Sequence, residues 1–540
     1  MILKLTINLF ISFVCEYSLP NHAKCLPLIP RKHNKNHAQM RQDHFRLSPN
    51  PLVRHLQKHP WQFTKQDIIR YIEENEIEIV NFRYVAGDSR LKTLNFVIQG
   101  LDHLEEIFST GERVDGSSLF NFLEAGSSDL YVVPCFRTAF LNPFGEIPAV
   151  DILCSYYDKN GNPLESAPEN IMRKAHQALV EKTGYSLEVM GEIEYYIISE
   201  KDDLYRATDQ KGYHESSPFV KWEQLRIDAL RAIAQTGGKV KYGHSEVGNF
   251  SDEHHEYEQN EIEFLPTTVQ DAADQLIIAK WILREVGYRH GVTVSFAPKI
   301  TAGKAGSGMH IHMRPMKDGK NATLDRGKIS DVSKKVIAGI LDIAPSLSAF
   351  GNTIPTSFFR LVPHQEAPTN VCWGERNRST LIRVPLGWVG AADMINTENP
   401  LEPKTDKDFS DKQTFEFRCP DGSADIYLLI AGLCVGARHG FEMPNALEFA
   451  EKTYVDVNIF HDEHKHRTQE LAQLPYSCKT AAEYLEKHAD VYKEHGVFSE
   501  ALLKGIVKRL LSYNDENLRE KIEGNHKETM KLVRQFLHCG

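Results

Sequence analysis

The chain has 540 residues, 41% of them hydrophobic, and a formal net charge of -10. That length exceeds one small core and indicates a globular protein of a few packed domains. An acidic chain lacks the basic surface that displaces counterions from nucleic-acid phosphate, so nucleic acid is excluded as a partner. Nine cysteines, at 15, 25, 135, 154, 372, 419, 434, 478 and 539, form no CxxC pair; such scattered thiols suit a cytoplasmic enzyme better than a disulfide frame or a zinc site.

In chain order, MILKLTINLFISFVCEYSLP carries one lysine and a short apolar run, closer to the start of a secretory signal than to a spanning helix. A basic, His/Asn-rich stretch follows, and Met40 offers an alternative start. Residues 1–39 are therefore read as a mis-assigned start or a disordered leader inside an N-terminal segment 1–60, with a working signal as the alternative; no membrane partner is expected. From Trp61, TKQDIIRYIEENE has helical spacing, IEIVNFRYV and KTLNFVIQG alternate as strands, and VDGSSL reads as a loop, which makes a small α+β unit over 61–160. In the remainder, 161–540, IMRKAHQALVEKTG predicts a helix and SLEVMGEIEYYIIS a strand. VQDAADQLIIAKWILREVGYRHG, ADIYLLIAGLCVGARHGFE, AAEYLEKHADVYKEHG and SEALLKGIVKRLLSYNDENLREKI are helical by the same test.

Within GEIEYYIIS, Glu192 and Glu194 stand two apart on a strand and project from one face. An isolated pair of this kind is usually a solvated strand face. Here it has company: KVKYGHSEVGNFSDEHHEYEQNEIEF adds carboxylates, GSGMHIHM puts His310 and His312 on one strand face, and FEFRCPD sets Glu416 two before Arg418. Burying several such pairs is costly unless they share charge across a site. Arg360, Arg376, Arg378 and Arg383 cluster in FFRLVPHQEAPTNVCWGERNRSTLIRVP, and a guanidinium fork suits the oxygens that gain charge in phosphoryl transfer.

DGSSL, GEIEYY, HSEV with QNEIEF, GSGMHIH, RLVPHQEAP, NRSTLIRVP and FEFRCPDGSADIYLL resemble, in this order, the motifs of glutamine synthetases, and span about residues 60 to 440. The chain is similar to the bacterial type I form. The resemblance implies an α+β protein with a small N-terminal β-grasp domain, followed by a glutamine synthetase/guanido kinase-like catalytic domain whose curved antiparallel sheet builds half of a funnel-shaped site. It implies ATP as co-substrate, L-glutamate and ammonium as substrates, and two or more Mg²⁺ or Mn²⁺ ions per site. Glu194, Glu246 and Glu261 match the ligands of one metal, and Glu192, His310 and Glu416 those of the second; oxygen-rich ligation with one imidazole suits these hard cations. By the same match Gly306, Arg360, Glu366 and Arg418 bind glutamate and the acyl phosphate, with Glu366 on a mobile flap. His312, Arg378 and Arg383 serve ATP, and Asp115 deprotonates ammonium.

Departures mark this chain. Glu246 and Glu261 are fifteen apart where the family has eight, so NFSDEHHEYE reads as an insertion, with Glu256 a rival to Glu246. Ala305 replaces the asparagine that usually precedes Gly306, and Arg314 stands two after His312 where a serine is usual. Ala472 takes the place of the tyrosine that type I relatives adenylylate, while Tyr476 falls beyond the Leu474-Pro475 pair. The implied product is glutamine, formed through γ-glutamyl phosphate in a dodecamer whose sites lie between subunits. The alternatives are a γ-glutamyl-alkylamine or polyamine ligase of the same superfamily and a catalytically silent relative.

Overall fold

The computed structural model describes residues 45–120, 128–362, 367–387, 393–406, 408–461, 463, 469–522 and 524–540; the leader expected over 1–39 lies outside them. Phe45 and Arg46 belong to an N-terminal unit, and Leu47–Gly540 form a second. Part of the segment 1–60 folds with that second unit: Asn50 caps the helix Pro51–Leu56, which buries Leu52, Val53 and Leu56. Thr64 and Asp67 make a capping box at the start of the helix Lys65–Glu74, fixing the entry of the first predicted helix by satisfying amides that have no helical partner.

The first sheet contains β1 (Ile79–Val85), β2 (Leu91–Val97), β3 (Glu112–Asp115), β4 (Asp129–Pro134), β5 (Phe140–Leu141) and β6 (Ala149–Tyr157). Its order is β2-β1-β6-β4-β3, with β5 on β6. β1 and β6 run parallel while their other pairings are antiparallel. The helix Leu101–Thr110 supplies the crossover and buries Leu104, Ile107 and Phe108. VDGSSL, read as a loop, is the end of β3 followed by the 3-10 turn Gly116–Ser118.

The second sheet orders β16 (Trp373–Glu375), β17 (Ile382–Val384), β18 (Phe415–Phe417), β12 (Met309–Lys317), β7 (Ser186–Glu200), β9 (His255–Phe264) and β8 (Val240–Ser251) side by side. β10 (Thr267–Thr268) and β11 (Thr293–Ser295) pair with β7, β13 (Lys320–Asn321) pairs with β12, and β14 (Leu324–Asp325) and β15 (Lys328–Ile329) form a separate two-stranded sheet. All these pairs are antiparallel except β16 and β17. Alternation divides β7 into two faces: Leu187, Val189, Ile193 and Tyr195 are buried in the core, leaving Glu188, Glu192 and Glu194, with a buried Met190 between them, for the other side. The helix Val269–Arg289 packs on the core face. At Gly191 a Cβ would come within 2.6 Å of Leu276 Cδ2, so only glycine permits that approach. Behind it the helix Ile426–Glu442 packs against both Pro168–Thr183 and Asp331–Gly351.

Two helices expected to run long are broken. AAEYLEKHADVYKEHG forms Cys478–Lys487 and Ala489–Lys493, separated at His488 (φ -100, ψ 10), with His495 at φ 56 beyond them, and the next helix runs Glu500–Leu511, three residues short of Asn514 at φ 50. Among the described residues no single helix is long and apolar enough to cross a membrane. The seven described cysteines are free thiols.

Candidate functional site

Register brings the charged pairs of six strands into one field. His310 on β12 stands opposite Glu192 on β7, which stands opposite Glu263 on β9. One step along, Glu194 faces Glu261, which faces His244 on β8. On the other side His312 faces Glu416 of β18, and Glu416 faces Arg383 of β17. A cavity of about 810 Å³ opens over this face, with Arg360, Arg378, Arg383 and Arg418 among its lining residues.

Two donor groups result, each with its ligand atoms within 4.8 Å of one another: Glu192, His312 and Glu416, and His244, Glu246 and Glu261. His312 Nε2 lies 2.8 Å from both Glu192 Oε1 and Glu416 Oε2. His244 Nε2 lies 3.1 Å from Glu261 Oε1. Like charges directly opposite each other destabilise a sheet, yet Glu192 faces Glu263 and Glu194 faces Glu261. The strain shows at Glu261. Burial and the carboxylates Glu192, Glu194, Glu246 and Glu263 hold the Glu261 carboxyl well above the usual range. Burial disfavours charge on His312, but Glu192 and Glu416 outweigh it and push its pKa up to about 10. Burial acts against the Glu416 carboxylate, yet His312 and Arg418 hold it down to about 2. An imidazolium thus fills the role of a cation among these carboxylates. This crowd of oxygen donors, with one Glu263 oxygen buried and unbonded, fits hard divalent ions.

The structure sets Glu192, Glu194, Glu246, Glu261, His310, His312 and Glu416 around the same cavity. The tight group with Glu192 and Glu416 closes through His312, which the resemblance assigned to ATP. His310 Nδ1 donates to Glu192 Oε2 over 2.9 Å, and its Nε2 lies 3.4 Å from Arg360 Nη2. Glu194 accepts from the Gly308 amide at 2.9 Å and from Gln259 Nε2 at 3.0 Å. The insertion lengthens the β8–β9 hairpin away from the cavity. Glu256 sits on that extension opposite Ser199 and Ser251, 3.3 Å from Lys221 Nζ, whereas Glu246 remains in the cavity at an irregularity of β8.

Arg360 is buried and anchored by the Cys419 carbonyl at 2.9 Å. Gly306 lies against it: a Cβ there would come within 2.5 Å of the Pro298 carbonyl and 3.0 Å of Arg360 Cγ. Ala305, the departure beside it, gives its carbonyl to Tyr196 and its amide to Gln210. Arg383 Nη1 donates to Glu416 at 2.9 Å and Arg418 Nε lies 3.1 Å from the same oxygen. Arg418 also donates to the Arg378 carbonyl. Arg314 is tied to Glu188 at 2.6 Å.

Asp115 is exposed and does not line the cavity of its own chain. Hydrogen bonds from Ser118 and Ser117 lower its carboxyl to about 2. Glu366, the flap residue, lies outside the described residues. His244 and Glu263 went unnoticed in the sequence, although each stands two residues from a singled-out glutamate, the spacing that marked the other pairs.

Residues 76–159 match the family described as "Glutamine synthetase, beta-Grasp domain", and residues 165–522 the family "Glutamine synthetase, catalytic domain". Among curated relatives, the glutamine synthetase of Thermotoga maritima is 30% identical over 433 residues, 78% of this chain and 90% of that one. That of Clostridium saccharobutylicum is 29% identical over 439 residues, 79% and 90% of the two chains. Among solved structures, the Plasmodium falciparum glutamine synthetase gives a TM-score of 0.69 at 19% identity, covering 85% of this chain and 97% of its own. A GmaS/ADP complex gives 0.66 at 17% identity, covering 84% and 98%; at such identities the likeness speaks for the fold. With both domain families matched in order, and the catalytic one over most of the length, this chain belongs to the glutamine synthetase family.

Proposed function

We propose that this chain is a cytoplasmic glutamate–ammonia ligase, joining ammonia to the γ-carboxylate of L-glutamate at the expense of ATP. The observation that carries the reading is the cross-strand field from His244 to Arg383, in which carboxylates and imidazoles line one end of a cavity and arginines its flank. Mg²⁺ or Mn²⁺ would be held by Glu194, Glu246 and Glu261, with His244 beside them, and by Glu192, His310 and Glu416, with His312 facing the same carboxylates. Bound there, the ions screen the negative charge of ATP.

Arg360 and Arg418 hold the glutamate beside Gly306, while Arg378 and Arg383 neutralise the phosphates, with His312 near them. The γ-carboxylate attacks the terminal phosphorus, the bond to ADP breaks, and γ-glutamyl phosphate forms under arginines already placed for its charge. Ammonium then loses a proton to Asp115, contributed by a neighbouring subunit of a ring, and Glu366 closes the site. Ammonia attacks the acyl carbon and phosphate leaves. Exclusion of water protects the activated acyl group. The subunit arrangement proposed is a dodecamer, which accounts for an Asp115 remote from the cavity of its own chain.

Steady-state phosphate release from ATP with glutamate, compared among ammonium, methylamine and putrescine, tests the reading. Ammonium is expected to give the highest kcat/KM. A preference for either amine would replace ammonia as the substrate, and no release with any of them would mean a silent relative.

A further inference from the structure

β8 and β9 fall out of step at one place. Ser245 pairs with Asn260 and Asn249 with Glu258, so Glu246, Val247 and Gly248 together oppose Gln259 alone. A bulge of this kind breaks the ladder and re-aims side chains, and Glu246, which lines the cavity, stands on it. The Gln259 side chain fills the break. It is 1% exposed, and its Oε1 accepts from the Gly248 amide at 3.0 Å. On the other side its Nε2 donates to Glu194 Oε2 at 3.0 Å and lies 3.1 Å from the Gly306 carbonyl and 3.3 Å from Ser307 Oγ. The partners fix the orientation of the carboxamide, because a carboxylate and a carbonyl only accept and a backbone amide only donates. Gly248 permits the approach: a Cβ there would come within 2.3 Å of Gln259 Oε1 and 2.0 Å of the Tyr196 hydroxyl. Tyr196, opposite Gln259 on β7, holds the same turn by donating to the Ala305 carbonyl at 2.9 Å.

We infer that Gln259 is a positioning residue that couples the metal held by Glu194, Glu246 and Glu261 to the amino-acid substrate beside Gly306. One buried carboxamide steadies the bulge that carries Glu246, orients Glu194 and holds the Gly306–Ser307 turn. The inference rests on the metal and glutamate sites proposed above. With Glu194 and Glu246 drawn onto a cation, the carboxamide is kept in the arrangement that also holds Gly306, so each ligand favours the other.

The test is calorimetry on the full-length protein, titrating Mg²⁺, and L-glutamate with and without Mg²⁺. Wild type is expected to bind glutamate roughly tenfold more tightly when Mg²⁺ is present. Gln259→Met keeps the length and loses the hydrogen bonds of the amide. It should lose about tenfold in Mg²⁺ affinity, as when the partner that orients a metal ligand is removed, and with it most of the coupling. Gln259→Glu keeps the acceptor for Gly248, and so the bulge, and loses the donors; it should bind Mg²⁺ no less tightly than wild type yet still lose the coupling, a split that a loosened fold would not produce. Tyr196→Phe, which loses only the Ala305 bond, should weaken glutamate binding and leave both Mg²⁺ affinity and coupling intact. Coupling of wild-type size in either Gln259 variant would overturn the assignment, and its loss in Tyr196→Phe would move it from Gln259 to the turn as a whole. A wild type that binds the two ligands independently would overturn the coupling alone, while one that binds neither would overturn the metal and glutamate sites beneath it.

Discussion

His312 offers a direct reading of the charge balance in the cavity. It stands between two carboxylates at 2.8 Å, and its pKa rises from an ordinary 6.5 to about 10. A group whose folded pKa is raised stabilises the fold fully below its unfolded value and loses that stabilisation as pH climbs through the folded one. At about 1.4 kcal/mol per pH unit between the two values, the proton contributes up to about 5 kcal/mol below pH 6.5, of which about 2 is gone by pH 8 and nearly all above pH 10. Lys280 and Lys299, whose burial depresses them to about 7 and about 8, pull the other way over the same range. The quantity to read is therefore the difference between wild type and His312→Gln. Chelator-treated protein, unfolded in urea at intervals from pH 6.5 to 9.5, should show the advantage of wild type shrinking by several kcal/mol, while Mg²⁺ affinity rises with pH as the competing proton leaves. A difference independent of pH would refute the charge balance described here.

Glu246→Ala should abolish phosphate release. Glu256→Ala, which loses only a partly exposed ion pair with Lys221, should cost under about 1 kcal/mol and leave turnover near wild type; the reverse order would exchange the two residues. Asp115→Ala should impair use of ammonium more than formation of the acyl phosphate, measured as hydroxamate trapping against glutamine synthesis, and equal losses would remove it from the amine site. Sedimentation should show a large homo-oligomer, and a fully active monomer would contradict a site completed by a neighbour. A tryptic peptide over 468–479 should carry no AMP increment, since Ala472 has no hydroxyl to modify; an increment on Tyr476, which is 61% exposed, would overturn this.

Much of the local order was legible without coordinates. The spacing of TKQDIIRYIEENE announces the helix Lys65–Glu74, the alternation of SLEVMGEIEYYIIS announces β7, and i, i+2 spacing alone puts Glu192 with Glu194 and His310 with His312 on common faces, because a strand turns its side chains over every second residue. Helix ends were less legible: one run breaks at His488 and the next stops at Leu511, although apolar periodicity continues through both places. The motif order also carried the family, since it depends on residue identity and sequence separation. What the sequence could not contain is register. That His312, rather than His310, meets Glu416 follows from how β12 pairs with β18. That Glu256 is carried out of the cavity follows from where the β8–β9 hairpin turns, and that Arg314 spends its donors on Glu188 follows from β12 meeting β7. Those partners lie tens to more than a hundred residues apart, so their meeting is decided by hydrogen bonding between strands and by the burial of Ile193, Ile262 and Ile311 on the opposite face.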